Sequence, residues 1–295
     1  MIILDTVAHE TIWGGKKMLP YATEKKEKIG HLYSLCCEKG LENHILNGNY
    51  KGKVFQEYFL DVKEQFGLNH YEEFPLIIAL VEACDNLSIQ VHPDDCVAKE
   101  EEGAAYGKNE SWFFLEAPIS GTIFNGCLAK DNEQVEAKMR EDDLMSLVDE
   151  LPVQAGDYVY VEAGTLHALS AGSYLYEIEE NSPWTYRMYD YNRVDASGNP
   201  RELHIDKAMK ALKPELKSEA VALRNDKQEE RRYILQKLEN VTEYKNISNT
   251  LQCVTFIKGE CLVEDCHVTV GTTVVLEPKE VLQGDIELAM VAQPK

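Results

Sequence analysis

Short apolar and aromatic runs, cut by Gly, Pro, Asn and Asp, fill most of the first two hundred positions of the chain. FPLIIALV (74–81), LSIQVH (87–92), SWFFLEA (111–117), GTIFNG (121–126), DYVYVEAG (157–164) and SYLYEIEE (173–180) have the β-branched and aromatic richness of strands. They recur at about ten-to-fifteen-residue spacing, which predicts a sandwich or closed barrel rather than a parallel α/β sheet. Two stretches carry apolar residues at helical spacing instead, 50–67 and 132–151. After PRELHIDKAMKALKPEL (200–216) the composition turns highly charged, through NDKQEERR (225–232), and then becomes β-like again to the end. The expected organisation is a mainly β domain with helical insertions over 1–204, a helical linker over 205–232, and a smaller C-terminal β module over 233–295.

With 295 residues, 44% of them hydrophobic and 27% charged, the chain is long enough for a substantial core and ordinary in composition. Its net charge of −21 is not ordinary. A nucleic-acid binder needs a basic face, so that class is excluded, and an anionic small molecule would have to be drawn in by a local basic cluster. FPLIIALVEAC is too short to span a bilayer and carries Glu82, and the N-terminal residues show no secretory pattern. Eight cysteines without a CxxC pair read as reduced structural thiols, and Cys261, Cys266 and His267 fit no zinc spacing. The expectation is a cytoplasmic protein with neither a nucleic-acid nor a membrane partner.

The candidate chemistry begins in LSIQVHPDD (87–95). Gln90 and His92 stand two apart in a strand pattern and so share one face. Glu110 opens the apolar run after GKNE, and His167 follows the GDYVYVEAGTLHAL unit with its Gly156 and Gly164 turns. Two imidazoles, a carboxylate and an amide form a donor set suited to Zn²⁺ or a similar divalent ion. Taken singly, each histidine reads more readily as a hydrogen-bonded structural residue, and Glu110 as a surface carboxylate; it is their joint occurrence in apolar, β-rich surroundings that favours a metal site. A second cluster, YLYEIEENSPWTYRMYDYNR (174–193), sets Glu177, Glu179, Arg187 and Arg193 among tyrosines and Trp184. It reads either as surface ion pairs or as a pocket in which arginines hold an anion and a glutamate moves a proton. P-loop, GxGxxG, GxSxG and HExxH patterns are absent.

These stretches together resemble the type I mannose-6-phosphate isomerases, in particular their short bacterial form. IWGG (12–15), FPLIIALVEACDNLSIQVHPDD (74–95), YGKNESWFFLEA (106–117), GDYVYVEAGTLHAL (156–169) and TYRMYDYNRVDASGNPRELH (185–204) follow in the family's order. The resemblance implies a cupin, a metal-binding jelly-roll barrel. It implies one Zn²⁺ per chain on Gln90, His92, Glu110 and His167, with Arg187 and Glu177 as catalytic residues. Ser88, Lys108 and Arg193 then fall near the sugar or its phosphate. The implied reaction is aldose–ketose isomerisation of mannose 6-phosphate and fructose 6-phosphate through a metal-stabilised enediolate, in a monomer or homodimer. The alternative is a cupin paralogue, non-catalytic or altered in specificity, that binds a sugar or sugar phosphate. Ala79 departs from the family, whose members carry there a lysine suited to phosphate.

Overall fold

The computed structural model describes residues 1–194, 198–223 and 227–295. By contact these divide into two compact units, one of residues 1–9, 16–80 and 223–295, the other of residues 10–15 and 81–222. The chain passes from the first to the second within the strand Leu76–Glu82, every residue of which is buried, Ala79 included. Residues 16–80, read from sequence with the catalytic domain, thus pack with the C-terminal β strands.

The first unit is built on an antiparallel sheet in the order Ile2–Ile3, Thr273–Leu276, Gln252–Val263, Val281–Pro294, Tyr233–Lys245, Lys227–Glu229, with Cys266–Val268 paired to Gln252–Val263. One face is apolar, carrying Ile3, Val254, Phe256, Val274, Leu276 and Val291 among its buried residues. The helical spacing read over 50–67 resolves into a helix over Phe55–Val62 and a 3₁₀ turn over Lys63–Phe66. Gly67, at φ +74°, closes that turn in the left-handed region that favours glycine.

The second unit holds two antiparallel sheets. One runs Tyr186–Tyr189, Ile89–Val91, His167–Ala168, Thr122–Cys127, Val148–Pro152; the other includes Ala220–Ala222, Asp157–Val161, Glu110–Glu116 and Tyr174–Glu180 in that order. Its outer core gathers Ile89, Val91, Leu166, Ala168, Met188 and the helix residues Val135, Ala208 and Ala211. The mainly β, jelly-roll-like expectation holds.

Two helical expectations do not. The helix expected over 132–151 ends at Arg140, because Asp142 turns left-handed at φ +55°; a 3₁₀ turn over Leu144–Leu147 and the strand Val148–Pro152 follow. Val148 and Leu151, three apart, mimic a helical stripe but are buried through strand pairing with Cys127 and Ile123. The region read as a helical linker is helical only over Ile205–Ala211, which stops short of Pro214. It then supplies the edge strands Ala220–Ala222 and Lys227–Glu229; the part over 224–226 lies outside the described residues. No helix among the described residues is long and apolar enough to cross a membrane.

Candidate metal centre

The site is assembled by strand register. In one sheet Gln90 stands opposite both Arg187 and His167, so that Arg187, Gln90 and His167 form a single rung across three strands. Cross-strand partners share a face, and this rung faces the second sheet. There Glu110 stands opposite Glu179, and Trp112 opposite Glu177. His92 follows Val91 directly, two residues on from Gln90.

The ligating atoms of His92, Glu110 and His167 all lie within 4.8 Å of one another, and the three residues are fully buried. His92 Nε2 is 3.2 Å from Glu110 Oε2, and His167 Nε2 is 3.2 Å from Glu110 Oε1. The far nitrogen of each ring is engaged by a backbone carbonyl: His92 Nδ1 lies 3.0 Å from Trp184 O, and His167 Nδ1 lies 2.8 Å from Thr165 O. A carbonyl only accepts, so each Nδ1 carries a proton, and in the neutral form of the ring the Nε2 lone pair is turned towards the site. Burial pushes the His92 imidazole down to about 4, against the pull of Glu110, which keeps it neutral at physiological pH. The buried Lys108 ammonium, 4.0 Å from Glu110 Oε2, favours the ionised form of that carboxyl.

Two imidazole lone pairs therefore face an ionised carboxylate with no proton between them. His92 Nε2 and Glu110 Oε1 are buried without a hydrogen-bond partner. Such an arrangement is costly unless a cation sits among the atoms. The donor set fits a divalent metal, and the two carbonyls act as the outer partners that orient metal-binding histidines. Gln90 Nε2 lies 3.4 Å from His167 Nε2, while its Oε1 accepts from Ser88 Oγ at 3.4 Å. Turning that amide over would direct the oxygen to the same point, an interchange that amide geometry permits.

Glycine shapes the approach to His167. Gly164, at φ +100°, donates its N–H to His92 O at 2.9 Å, and a Cβ there would lie 2.8 Å from the Lys213 side chain. The tight turn it allows sets His167 at the start of its strand.

Around the metal residues lies a buried charged group. Lys108 Nζ is 2.6 Å from Glu179 Oε1 and 4.0 Å from Glu110 Oε2. Burial would lower its ammonium, but Glu179 and then Glu110 hold it above the usual lysine value. Glu177 accepts from Trp112 Nε1 at 2.8 Å. Its carboxyl is pushed well above the usual range, by burial first and then by the charges of Glu179 and Glu110. The half-buried Arg187 donates from Nε to Ser88 Oγ at 3.2 Å and from Nη1 to Glu202 O at 2.9 Å. Ser88, Gln90 and Arg187 thus form one hydrogen-bonded edge of the site.

Arg193 belongs to a different group of contacts. Its Nη1 donates to Asn86 O, and its Nη2 lies 2.6 Å from Asp190 Oδ1. Arg201 grips the same carboxylate, with Nε 2.7 Å from Oδ2 and a second contact from Nη2 to Oδ1. Asp190 and Arg201 are absent from the sequence reading. The run YDYNR pointed to the first, but no local spacing links it to the NPRELH segment that supplies the second.

Residues 1–111 match the family model described as phosphomannose isomerase type I, catalytic domain. The probable mannose-6-phosphate isomerase GmuF of Bacillus subtilis is 35% identical over 214 residues, covering 72% of this chain and 68% of that protein. The chain belongs to the type I phosphomannose isomerase family. A mannose-6-phosphate isomerase of Streptococcus mutans is also 35% identical, over 72% of this chain and 67% of its own length. Among solved structures, a B. subtilis mannose 6-phosphate isomerase superposes with a TM-score of 0.85 at 27% identity, covering 99% of this chain and 98% of that one. A putative mannosephosphate isomerase from Archaeoglobus fulgidus, 16% identical, shares the fold at a TM-score of 0.77, covering 99% of this chain and 97% of that one. The candidate His/Glu metal site agrees with the family's dependence on a metal.

Proposed function

We propose that this protein interconverts mannose 6-phosphate and fructose 6-phosphate, with one Zn²⁺ held by Gln90, His92, Glu110 and His167. The observation that carries the reading is the Glu110 carboxylate facing two imidazole lone pairs in a buried site. A divalent ion bound there supplies Lewis acidity, polarising the substrate oxygens on C1 and C2 and stabilising the negative charge that develops on them.

The remaining work falls to the chain's own side chains. Isomerisation removes a proton α to a carbonyl and returns it to the neighbouring carbon, which needs a group able to hold a proton near neutral pH. Glu177 has that property, because burial and two neighbouring carboxylates raise its carboxyl. Its indole partner Trp112 fixes one oxygen of that carboxyl. Arg187 shares the rung of Gln90 and His167 and places fixed positive charge beside the reacting carbons. Lys108, paired to Glu179 and 4.0 Å from Glu110, belongs to the reacting end of the sugar. Ser88 orients the Arg187 guanidinium. The phosphate is met by Arg193 and its neighbour Arg201, two guanidinium groups that share the single carboxylate of Asp190.

The test pairs metal analysis of the purified protein with a mannose 6-phosphate assay read by fructose 6-phosphate formation. Turnover lost in chelator and restored by Zn²⁺ is expected. A zinc-loaded protein that binds the phosphosugar but does not turn it over refutes the reading in favour of a binding paralogue.

A further inference from the structure

The first unit has a cavity of its own, of about 330 Å³, at the end of its sheet. Ligand pockets start at roughly this size. Register shows what kind of surface it is. Gln236 pairs with Lys227 on one side and Val291 on the other, and Val291 pairs with Val254. Val291 and Val254 are core residues of this unit, so Lys227 and Gln236 lie on the core-facing side of the sheet. Gln293 stands two residues beyond Val291, and Gln252 two residues before Val254, which puts both on that same side. Elsewhere the face carries Phe256, Val274 and Leu276. Three glutamines at positions where a sheet normally continues its apolar core require a reason.

They form a connected polar set. Gln252, 6% exposed, donates from Nε2 to Gln293 Oε1 at 2.9 Å and accepts from Tyr244 OH at 2.9 Å; Tyr244 OH also lies 3.5 Å from Gln236 Oε1. These bonds use the amide oxygens and leave NH₂ groups over. Among the described residues, the amides of Gln236 and Gln293 and the ammonium groups of Lys227 and Lys245 have no hydrogen-bond acceptor. The described lining contains those two lysines and no carboxylate, in a chain of 51 acidic and 30 basic residues. A donor-lined, cationic cavity of this size suits a ligand with several hydroxyl or carbonyl oxygens and a negative charge.

We propose that this cavity is a second small-molecule site, separate in its residues from the metal centre, that takes a hydroxyl-bearing organic anion such as a sugar phosphate or sugar acid. The tyrosine–glutamine chain positions the donors, and the lysines supply charge at the rim.

The experiment follows glutamine side-chain NH₂ signals by ¹⁵N NMR in the full-length, zinc-loaded protein. The probes are fructose 6-phosphate, gluconate, inorganic phosphate and sorbitol. Saturable shifts of the Gln236 and Gln293 signals with fructose 6-phosphate or gluconate are expected, the active probe identifying which anionic group is taken. In Gln236→Leu the Gln293 response should vanish while isomerase turnover is unchanged. Lys245→Glu, a substitution at an exposed position that leaves folding intact, should weaken the anion about tenfold, near the loss of one charge-assisted hydrogen bond. Unmoved signals with both organic anions overturn the proposal, as does an equal response to sorbitol or to inorganic phosphate. Because the readout is local to these glutamines, failure here leaves the isomerase reading standing, and failure of turnover leaves this one standing.

Discussion

Replacing Glu110 by glutamine should reverse the order of stability between metal-free and metal-loaded protein. In the metal-free wild type, a 2%-exposed carboxylate faces His92 Nε2 and His167 Nε2 at 3.2 Å each, while the Nδ1 proton of each ring is turned to a backbone carbonyl. Glutamine keeps the shape and brings an NH₂ that donates to an imidazole lone pair. That satisfies a buried group whose unmet hydrogen bond costs about 1–3 kcal/mol. Chelated Glu110→Gln should therefore exceed chelated wild type by about 1–3 kcal/mol, at about 2–4 °C per kcal/mol for a unit of this size. Metal reverses the balance. At about a thousandfold excess of Zn²⁺ over its Kd the wild type gains about 4.1 kcal/mol, whereas a variant binding about a thousandfold more weakly gains only about 0.4 kcal/mol. Thermal unfolding of both proteins, in chelator and in buffered Zn²⁺, measures all four values. A Glu110→Gln protein less stable than wild type in chelator, by the same margin as in metal, refutes the lone-pair argument and marks Glu110 as an ordinary structural carboxylate.

Arg187→Ala should retain wild-type zinc content while kcat/KM falls about 10²- to 10³-fold, the usual loss for a donor aimed at developing charge; elemental analysis and steady-state kinetics decide it. Asp190→Asn should raise KM for mannose 6-phosphate more than it lowers kcat, because Arg193 and Arg201 lose their shared anchor. Burial alone would raise the Asp190 carboxyl, but Arg201 and Arg193 outweigh it and hold it below its usual value. Its stabilising contribution is therefore complete above the unfolded value of about 4 and disappears as pH falls through the lower folded value. The stability gap between wild type and Asp190→Asn should accordingly narrow below about pH 4 in denaturant titrations. Gly107→Ala should destabilise by about 1–3 kcal/mol and weaken zinc retention. An added Cβ would lie 2.3 Å from Pro93 O and 2.4 Å from the Asp94 carbonyl carbon, between the segments that carry His92 and Glu110. Thermal unfolding and zinc content after dialysis test this.

The candidate metal face was legible because it obeys a two-residue period. Gln90 and His92 announce a shared direction in six letters of sequence, and a hydroxyl, an amide and an imidazole seldom interrupt an apolar strand without a partner. Glu110 and His167 were legible as candidates but not as neighbours: a spacing of 57 residues encodes no distance, and the two meet because they stand in different sheets, His167 paired with Gln90 in one and Glu110 with Glu179 in the other. The Trp184 and Thr165 carbonyls that aim the two rings carry no signal in sequence, since every residue has a carbonyl. The Asp190–Arg201 contact depends on a loop whose path composition does not specify. The same limit carried the helix expected over 132–151 past its end at Arg140. Val148 and Leu151 fit both a helical and a strand pattern, and the left-handed Asp142 decided between them.

The division of labour between ladder and side chain explains which changes this site can bear. Placement of Arg187, Gln90 and His167 is a property of three paired strands, and that of Glu110, Glu177 and Glu179 a property of two more. Substitution within those strands leaves placement intact so long as register holds, whereas a one-residue slip would turn every one of these side chains to the opposite face. Charge is balanced at shorter range and is less tolerant. Glu179 adds a negative charge beside Glu110 and Glu177, and the buried Lys108 answers it at 2.6 Å. Removing Lys108 alone leaves three carboxylates together, while removing Glu179 alone leaves a buried ammonium whose nearest remaining carboxylate is Glu110. Each single loss exposes an uncompensated buried charge, so the pair must change together or not at all. The Lys108–Glu179 pair is thereby coupled to Glu110, the candidate metal ligand 4.0 Å from Lys108 Nζ.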